Sequence, residues 1–398
     1  MKNKKYAVLF DCGRNFIEFG LYEVEAEEEL IRGRVHPIGA TISEVRYTIR
    51  KKETYKDFHS AENIASGIKL VQLIITQNFG KDILQSIFCC IHRVVHGGDK
   101  HFCATYDSPQ VRVDITEYNK LAPLHNPYNL QGIIEANNIF PQAKHIICFD
   151  TAFFQTLPEI VKRYPLPERL FTHYRIKKYG FHGLSHEYSM LETAQLLKKK
   201  PSELNIISIH LGAGASMCAI KKGKAIDISM GFTPTGGLMM TTRCGDIDPE
   251  IPIYLQKEGC SATEVEDIIL RESGLLGVAQ KSFVKDVIEN YGKDERCTLA
   301  VDMYILRIKR YIGWYYLELD TNVDAITFTG EIATEYPIIR QKVAEELKPL
   351  GVKFDKNKNL NLKVDGIFSS KDSKIKLVHV VTNEFLIMLR QAKSLLKK

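Results

Sequence analysis

Tyr6-Ala-Val-Leu-Phe-Asp-Cys-Gly-Arg-Asn-Phe-Ile-Glu-Phe-Gly-Leu-Tyr-Glu-Val24 reads as two apolar runs separated by a short polar turn. The first run, Tyr6 to Phe10, has the length and the aromatic and branched content of a buried strand, and it delivers Asp11 at its end. Asp11-Cys12-Gly13 turns the chain, and Phe16 to Val24 returns. A glycine at such a turn lets backbone N–H groups approach a phosphate, and an adjacent Asp can hold Mg²⁺. Asp-x-Gly is also an ordinary hairpin turn, so the stretch speaks first for a fold.

Outward from it the same arrangement recurs. Ile87 to Ile91 ends before His92, and His145 to Phe149 before Asp150. Ile206 to Ile209 ends before His210, and Ala325 to Phe328 before Thr329 and Gly330. Each is a buried strand that delivers a polar residue. Helical patterns lie between them. Ile305, Ile308, Ile312, Tyr315 and Leu319 recur at spacings of three and four and so share one face. Another helix reads from Ser185, a good N-cap, towards Lys198. Alternating strands and helices predict an α/β fold. There is no internal repeat, no low-complexity segment and no Pro/Gly/Ser-rich linker to mark a domain boundary.

A chain of 398 residues is long enough for two ordinary domains. Its 44% hydrophobic and 26% charged residues are those of a globular protein, which excludes wholesale disorder. The net charge of +6 suits anionic small molecules, but without a clustered patch it does not indicate nucleic acid. Lys198 to Lys200 and Lys397 to Lys398 read as solvated helix ends. The nine cysteines are odd in number and form no CxxC pair, so reduced core thiols are expected. Met1 to Lys5 is basic, but the apolar run behind it stops at Asp11, too short for a secretory signal. No apolar stretch reaches membrane-spanning length. A cytoplasmic protein without a membrane partner is expected.

Chemistry-bearing residues cluster at the strand ends. His210-Leu-Gly-Ala-Gly-Ala-Ser216 follows a strand and offers bare backbone at Gly212 and Gly214 with a hydroxyl at Ser216, suited to a phosphate. It is not a Rossmann turn, because Met217 to Lys224 reads as strand. A tight hairpin without ligand is the competing reading. Arg93 and His96 lie in His92-Arg-Val-Val-His-Gly-Gly98, and His125 in Ala122-Pro-Leu-His-Asn-Pro127. His182 and His186 lie in Tyr179-Gly-Phe-His-Gly-Leu-Ser-His186, and Arg243 in Thr241-Thr-Arg-Cys-Gly-Asp246. Flanking Gly or Pro puts each on a turn, where function concentrates. Arginine supplies a planar fork for phosphate or carboxylate. The four-residue spacing of His182 and His186 could suggest zinc, but Gly183 and the cap-like Ser185 are expected to keep the two off one helix. Asp150 and Glu384, each next to a strand end, could share Mg²⁺, although single acids there are usually caps.

Taken together these segments resemble the acetate kinase family. The resemblance also covers Met230-Gly-Phe-Thr-Pro234, Gly237-Leu-Met-Met-Thr-Thr-Arg-Cys-Gly-Asp-Ile-Asp-Pro249 and Ser273-Gly-Leu-Leu-Gly277, and it runs in order from residue 5 to about 390. It implies two similar ribonuclease-H-like domains of the actin/Hsp70 and sugar kinase type, with a hinged central cleft. The first would comprise residues 1–151 completed by 385–398, and the second, residues 152–384, would carry a homodimer contact. By motif, Arg93 and Arg243 would bind the carboxylate and the transferring phosphoryl group. His182 would stabilise that group, with His125 and His210 close by. Glu384, with Asp11, would hold Mg²⁺. Asp150 would support the metal or orient the acceptor. Val95, Leu124, Phe181 and Pro234 would form a small apolar pocket for the methyl group of acetate. One added methylene is discriminated by only about 1–3 kcal/mol, so propionate is expected to react too. A carboxylate acceptor is already ionised near neutral pH and needs no strong base. A sugar or glycerol kinase on this fold would need one, and a polar pocket.

The donor side departs from the family pattern, which has Asn-x-Gly-Ser-Ser-Ser and a Lys after the first strand. Here Asp11-Cys-Gly-Arg-Asn-Phe16 leads to Glu18, with Arg14 replacing a hydroxyl as a possible phosphate grip. The usual His-Leu-Gly-Asn-Gly has Ala213 for Asn. The adenosine loop Gly-Gly-Ile-Gly-Glu-Asn reads Gly330-Glu-Ile-Ala-Thr-Glu335, so a charged Glu331 stands where the family has glycine. Three readings follow. ATP or another nucleotide is the donor, pyrophosphate/phosphate replaces ATP/ADP, or the chain is a catalytically impaired relative that binds acetyl phosphate.

Overall fold

The structure, a computed structural model, describes residues 4–397. Residues 1–3 of the basic start, and Lys398 of the terminal lysine pair, lie outside the described residues. The chain forms two compact units. One runs up to Ala152 and resumes at Asn383; the other is Phe153–Thr382. Ala152, Asn383 and Glu384, which the sequence reading assigned to the second domain, thus belong to the first unit.

The first unit is built on strands β1 (Tyr6–Cys12), β2 (Ile17–Glu23), β3 (Glu28–His36), β4 (Ala40–Ile49), β5 (Glu53–Ala61), β6 (Ile87–Val94), β7 (Thr105–Tyr106) and β8 (Lys144–Phe149). Their order in the sheet is β5-β4-β3-β2-β1-β6-β8-β7. β1 pairs antiparallel with β2 and parallel with β6, and β6 pairs parallel with β8. β1 is buried from Ala7 through Cys12, as a strand covered on both faces must be. Helix Ile64–Phe79 packs Ile68, Val71 and Ile75 into one core with Val8, Phe10, Ile17 and Phe19. It starts cleanly because Asn63 and Ser66 form a capping box. Helix Glu384–Leu396 buries Phe385, Met388 and Leu389.

The second unit contains β9 (Asn205–Leu211), β10 (Ala215–Lys221), β11 (Lys224–Ile228), β12 (Ala325–Thr329), β13 (Gly366–Ile367) and β14 (Lys376–His379), in the order β11-β10-β9-β12-β14-β13. The plan repeats that of the first unit: an antiparallel hairpin whose first strand is flanked on its other edge by parallel strands. Helix Glu295–Glu318 buries Ile305, Ile308, Ile312 and Tyr315, the face the spacing predicted, and the Tyr315 hydroxyl donates to the Met217 carbonyl at 3.2 Å. Helix Gly183–Leu197 corrects the reading of its start. His182, not Ser185, is the N-cap, and Ser185 and His186 both lie inside the helix. The Ser185 hydroxyl is not free to cap because it hydrogen bonds His210. The strand expected from Met217 begins two residues earlier, at Ala215. The nine cysteines are all unpaired, and six are buried, which marks them as core residues. Among the described residues no helix is long and apolar enough to cross a membrane.

Candidate active site

In the first unit, parallel pairing puts Arg93 of β6 beside the ends of β1 and β8. Arg93 Nη1 donates to Asp11 Oδ2 at 2.8 Å and to Glu384 Oε2 at 3.2 Å. Its Nη2 and Nε donate to the two oxygens of Asp150 at 2.7 and 3.3 Å. Four of the five guanidinium N–H groups are thereby used, and among the described residues one on Nη2 has no hydrogen-bond partner. Three carboxylates surround a single cation. Burial is the main cause that pushes the Asp150 carboxyl up to about 6, opposed by Arg93 and assisted by Glu384. Burial likewise raises Asp11 above the usual carboxylate range, again opposed by Arg93 and assisted by Glu384. Burial alone would weaken the hold of Arg93 on its proton, but Asp150, Glu384 and Asp11 together strengthen it.

Neighbouring side chains fix this corner. Asn129 donates to the Cys12 carbonyl at 2.8 Å and accepts from Val95 N–H at 3.2 Å, so helix Asn126–Ile139 ties the end of β1 to the loop after β6. Val95 is buried, His125 occupies the N-cap position of that same helix, and Leu124 is exposed. Arg14 is exposed in the hairpin turn. Glu18 faces Asp11 across the hairpin and pairs with Arg34 at 3.7 Å. Hard oxygen donors in excess over one guanidinium suit Mg²⁺, which takes one or two carboxylates and completes its shell with water and phosphate. Among the described residues no three or more His, Cys, Asp or Glu side chains form a metal cage by themselves.

In the second unit the glycine loop after β9 folds back on itself, Gly212 N–H donating to the Gly214 carbonyl at 2.9 Å. Thr241 anchors it, its hydroxyl donating to the Ala213 carbonyl at 2.7 Å. The segment around Thr241 is held in turn. The N–H groups of Ser273, Leu275 and Leu276 donate to the carbonyls of Thr242, Met240 and Thr241. Both long motifs therefore serve to place Arg243. Its Nη1 donates to the Pro234 carbonyl at 2.8 Å. No carboxylate pairs with Arg243 among the described residues, and burial lowers its hold on its proton. A half-buried guanidinium without a counter-ion is a ready anion site.

His182 stands beside it in the left-handed region, φ 60° and ψ 27°. A non-glycine residue held there costs on the order of 1 kcal/mol, which the surrounding contacts must offset. Its ring lies 4.4 Å from that of His210. A Cβ added at Gly214 would stand 3.1 Å from His182 Cε1, 3.2 Å from its Nε2 and 3.6 Å from Arg243 Nη1. The glycine leaves that space open. Behind His182, its Nδ1 is 2.9 Å from Ser216 Oγ, which is 2.8 Å from His186 Nε2, and His186 Nδ1 is 2.8 Å from Ser208 Oγ. Phe181 is buried and Pro234 half-buried. Gly330 has φ +90°, and a side chain there would meet the Leu211 carbonyl oxygen at 2.5 Å, so only glycine fits. Glu331 opens a five-residue helix and is exposed.

The structure thus brings the sequence-marked Asp11, Arg93, Asp150 and Glu384 together around one guanidinium. It places His182, His210, Gly212, Gly214, Pro234 and Arg243 around one loop. The sequence reading missed Ser185, Ser208, His186 and Thr241 as supports, and the Ser216 hydroxyl, which it offered to a phosphate or to a tight hairpin without ligand, contacts two imidazoles. The four-residue spacing of His182 and His186 was the available signal.

The chain matches the family model of the acetokinases over residues 6–390. It is 38% identical to the acetate kinase of Caldicellulosiruptor saccharolyticus over 397 residues, covering 98% of this chain and 99% of that protein. The fold is similar to that of the crystal structure of Porphyromonas gingivalis acetate kinase, with a TM-score of 0.91, 32% identity, and 99% and 100% of the two chains covered. It is also similar to a propionate kinase from Francisella tularensis, with a TM-score of 0.90, 30% identity, and 97% and 98% covered.

Proposed function

We infer that this chain, which belongs to the acetokinase family, transfers a phosphoryl group reversibly between ATP and acetate with Mg²⁺, giving acetyl phosphate. Family membership makes it a phosphotransferase with a two-domain α/β fold. The donor, the metal and the residue roles are our proposal. The observation that carries it is Arg243, a half-buried guanidinium with no carboxylate partner among the described residues, beside His182 and the bare backbone of Gly214. Direct phosphoryl transfer needs positioning and charge neutralisation more than covalent help.

In this reading an acetate oxygen attacks the terminal phosphorus, the bridging P–O bond breaks, and ADP leaves with the electron pair. Arg243 and the Nε2 edge of His182 hold the phosphoryl oxygens, with His210 and the loop Gly212 to Gly214 beside them. Arg93 turns its remaining N–H to the anionic substrate while the carboxylates hold it in place. Asp11 and Glu384 would hold Mg²⁺, which supplies positive charge to the phosphates. Asp150 accepts from Arg93 through both oxygens, so it serves as an anchor and not as the free base an alcohol acceptor requires. Val95, Leu124, Phe181 and Pro234 would shelter the methyl group, and propionate is accepted at a lower rate.

A second donor is favoured by Glu331. A carboxylate at the start of the short helix after Gly330 disfavours an adenosine diphosphate beside it. Pyrophosphate, with Arg14 as a further grip, is the alternative. Trapping acetyl phosphate as its hydroxamate tests both, with acetate, Mg²⁺ and either ATP or pyrophosphate, and Arg243→Ala as blank. Product with ATP supports the first reading, and product with pyrophosphate alone the second. No product with either donor, in either direction, leaves a binding protein. A homodimer is expected, and sedimentation measures it.

A further inference from the structure

We propose that Ser208, His186 and Ser216 form an oriented hydrogen-bond relay that keeps the proton of His182 on Nε2, the ring edge next to Gly214 and Arg243. The inference rests on the reading of His182 as the residue that meets the phosphoryl group. Ser208, His186 and Ser216 are fully buried. The contacts from Ser208 Oγ to His186 Nδ1, from His186 Nε2 to Ser216 Oγ, and from Ser216 Oγ to His182 Nδ1 form one unbroken line of 2.8, 2.8 and 2.9 Å.

Each inner link has one proton to give. Burial first, and His210 second, hold His186 well below the usual imidazole range, so it is neutral. One of its nitrogens donates and the other accepts. The Ser216 hydroxyl also donates once. The relay can therefore run in only two directions.

Run inward, His182 Nδ1–H donates to Ser216, Ser216 to His186 Nε2, and His186 Nδ1–H to Ser208. The Ser208 hydroxyl proton is then buried, and among the described residues Ser208 Oγ has no hydrogen-bond partner besides that same ring. Buried donors left unmade are rare and costly. Run outward, Ser208 donates to His186 Nδ1, His186 Nε2–H donates to Ser216, and Ser216 donates to His182 Nδ1. Every buried donor is used, and the last donor in the line is His182 Nε2–H. That tautomer offers a hydrogen bond to an anion without a second positive charge next to Arg243. Ser208, His186 and Ser216 are positioning residues that act through His182.

Nitrogen spectra of the full-length protein with ¹⁵N-labelled histidine test the relay directly, His182 being assigned by its disappearance in His182→Gln. The wild type is expected to show His182 protonated on Nε2. Ser216→Ala is expected to shift it towards Nδ1 and to lower kcat roughly 10- to 100-fold, the range for groups that orient a reacting ligand from behind, with the KM for acetate little changed. Ser216→Thr is expected to restore both. A wild-type His182 protonated on Nδ1, or a tautomer unmoved by Ser216→Ala, overturns the relay. Should Ser216→Ala not fold, Ser208→Ala makes the same measurement from the far end. The expected tautomer together with a fully active His182→Gln upholds the relay and refutes the phosphoryl role of His182, so the two ideas fail separately.

Discussion

Gly214→Ala is the smallest change that discriminates between ligand chemistry and folding. The φ of Gly214 is outside the left-handed region, so alanine is compatible with the backbone. The added methyl would approach His182 Cε1 and Nε2 to 3.1 and 3.2 Å, a few tenths of an ångström too close, and Arg243 Nη1 to 3.6 Å. A small ring shift relieves that crowding. The unfolded chain loses entropy in the opposite sense, so net stability changes by no more than about 1 kcal/mol. A phosphoryl oxygen shared between His182 Nε2 and Arg243 Nη1 has no such freedom, because the methyl takes its space. Losing one charge-assisted hydrogen bond costs about 1.5–3 kcal/mol, so kcat/KM should fall about 10- to 150-fold. Gly212→Ala is the control, since its methyl meets His210 Nε2 at an ordinary 3.4 Å. Hydroxamate trapping gives the rates, and thermal melts followed by circular dichroism give the stabilities. Wild-type kcat/KM in a well-folded Gly214→Ala would falsify the placement of the phosphoryl group at this loop.

Arg93→Met leaves three carboxylates without their cation and should destabilise the protein by about 3–5 kcal/mol, the range for breaking a buried pair on one side; an unchanged urea midpoint refutes the cluster as described. Glu384→Gln removes one of the carboxylates competing for Arg93, so the metal-free melting temperature should rise slightly. The Mg²⁺ concentration for half-maximal rate should rise at least about tenfold, and a Mg²⁺ titration of rate and melting temperature reads both. His379 is held at about 4, by burial first and Arg340 second, against about 6.5 unfolded. Its contribution to stability is therefore complete above about pH 6.5 and declines by about 1.4 kcal/mol per unit as pH falls towards 4. His379→Gln should flatten that decline between urea midpoints taken at about pH 7 and about pH 5, and parallel pH dependences would exclude it.

The strands were legible because β1, β6, β8, β9 and β12 each contain a nearly continuous buried apolar run, which needs no tertiary information; β1, β6 and β9 continue past the polar residue that closes the run, to Cys12, Val94 and Leu211. The helix carrying Ile305 to Tyr315 was legible from spacing alone. The resemblance marked Asp11, Arg93, Asp150 and Glu384, but not that all three acids grip the same guanidinium. They come from positions 11, 93, 150 and 384, and only the parallel registers of β1, β6 and β8 bring them together. Ser208 was illegible as part of the site because its role depends on which face of β9 it occupies, and every residue around it is buried. The start of the helix at Gly183 was misread because a serine three residues inside looked like a cap.

The first unit is assembled from both ends of the chain, and this orders its folding in time. A ribosome must make about 230 residues, the whole second unit, between Ala152 and Asn383. At about 5–20 residues per second that is roughly 10–50 seconds. During that interval β1, β6 and β8 lack the helix that buries Phe385, Met388 and Leu389. Arg93 meets Asp11 and Asp150 without their third companion, Glu384. The contiguous second unit can reach its native packing first, and Glu384 is the last of the three carboxylates to meet Arg93. Synthesis itself thus withholds the complete carboxylate cluster from an unfinished chain.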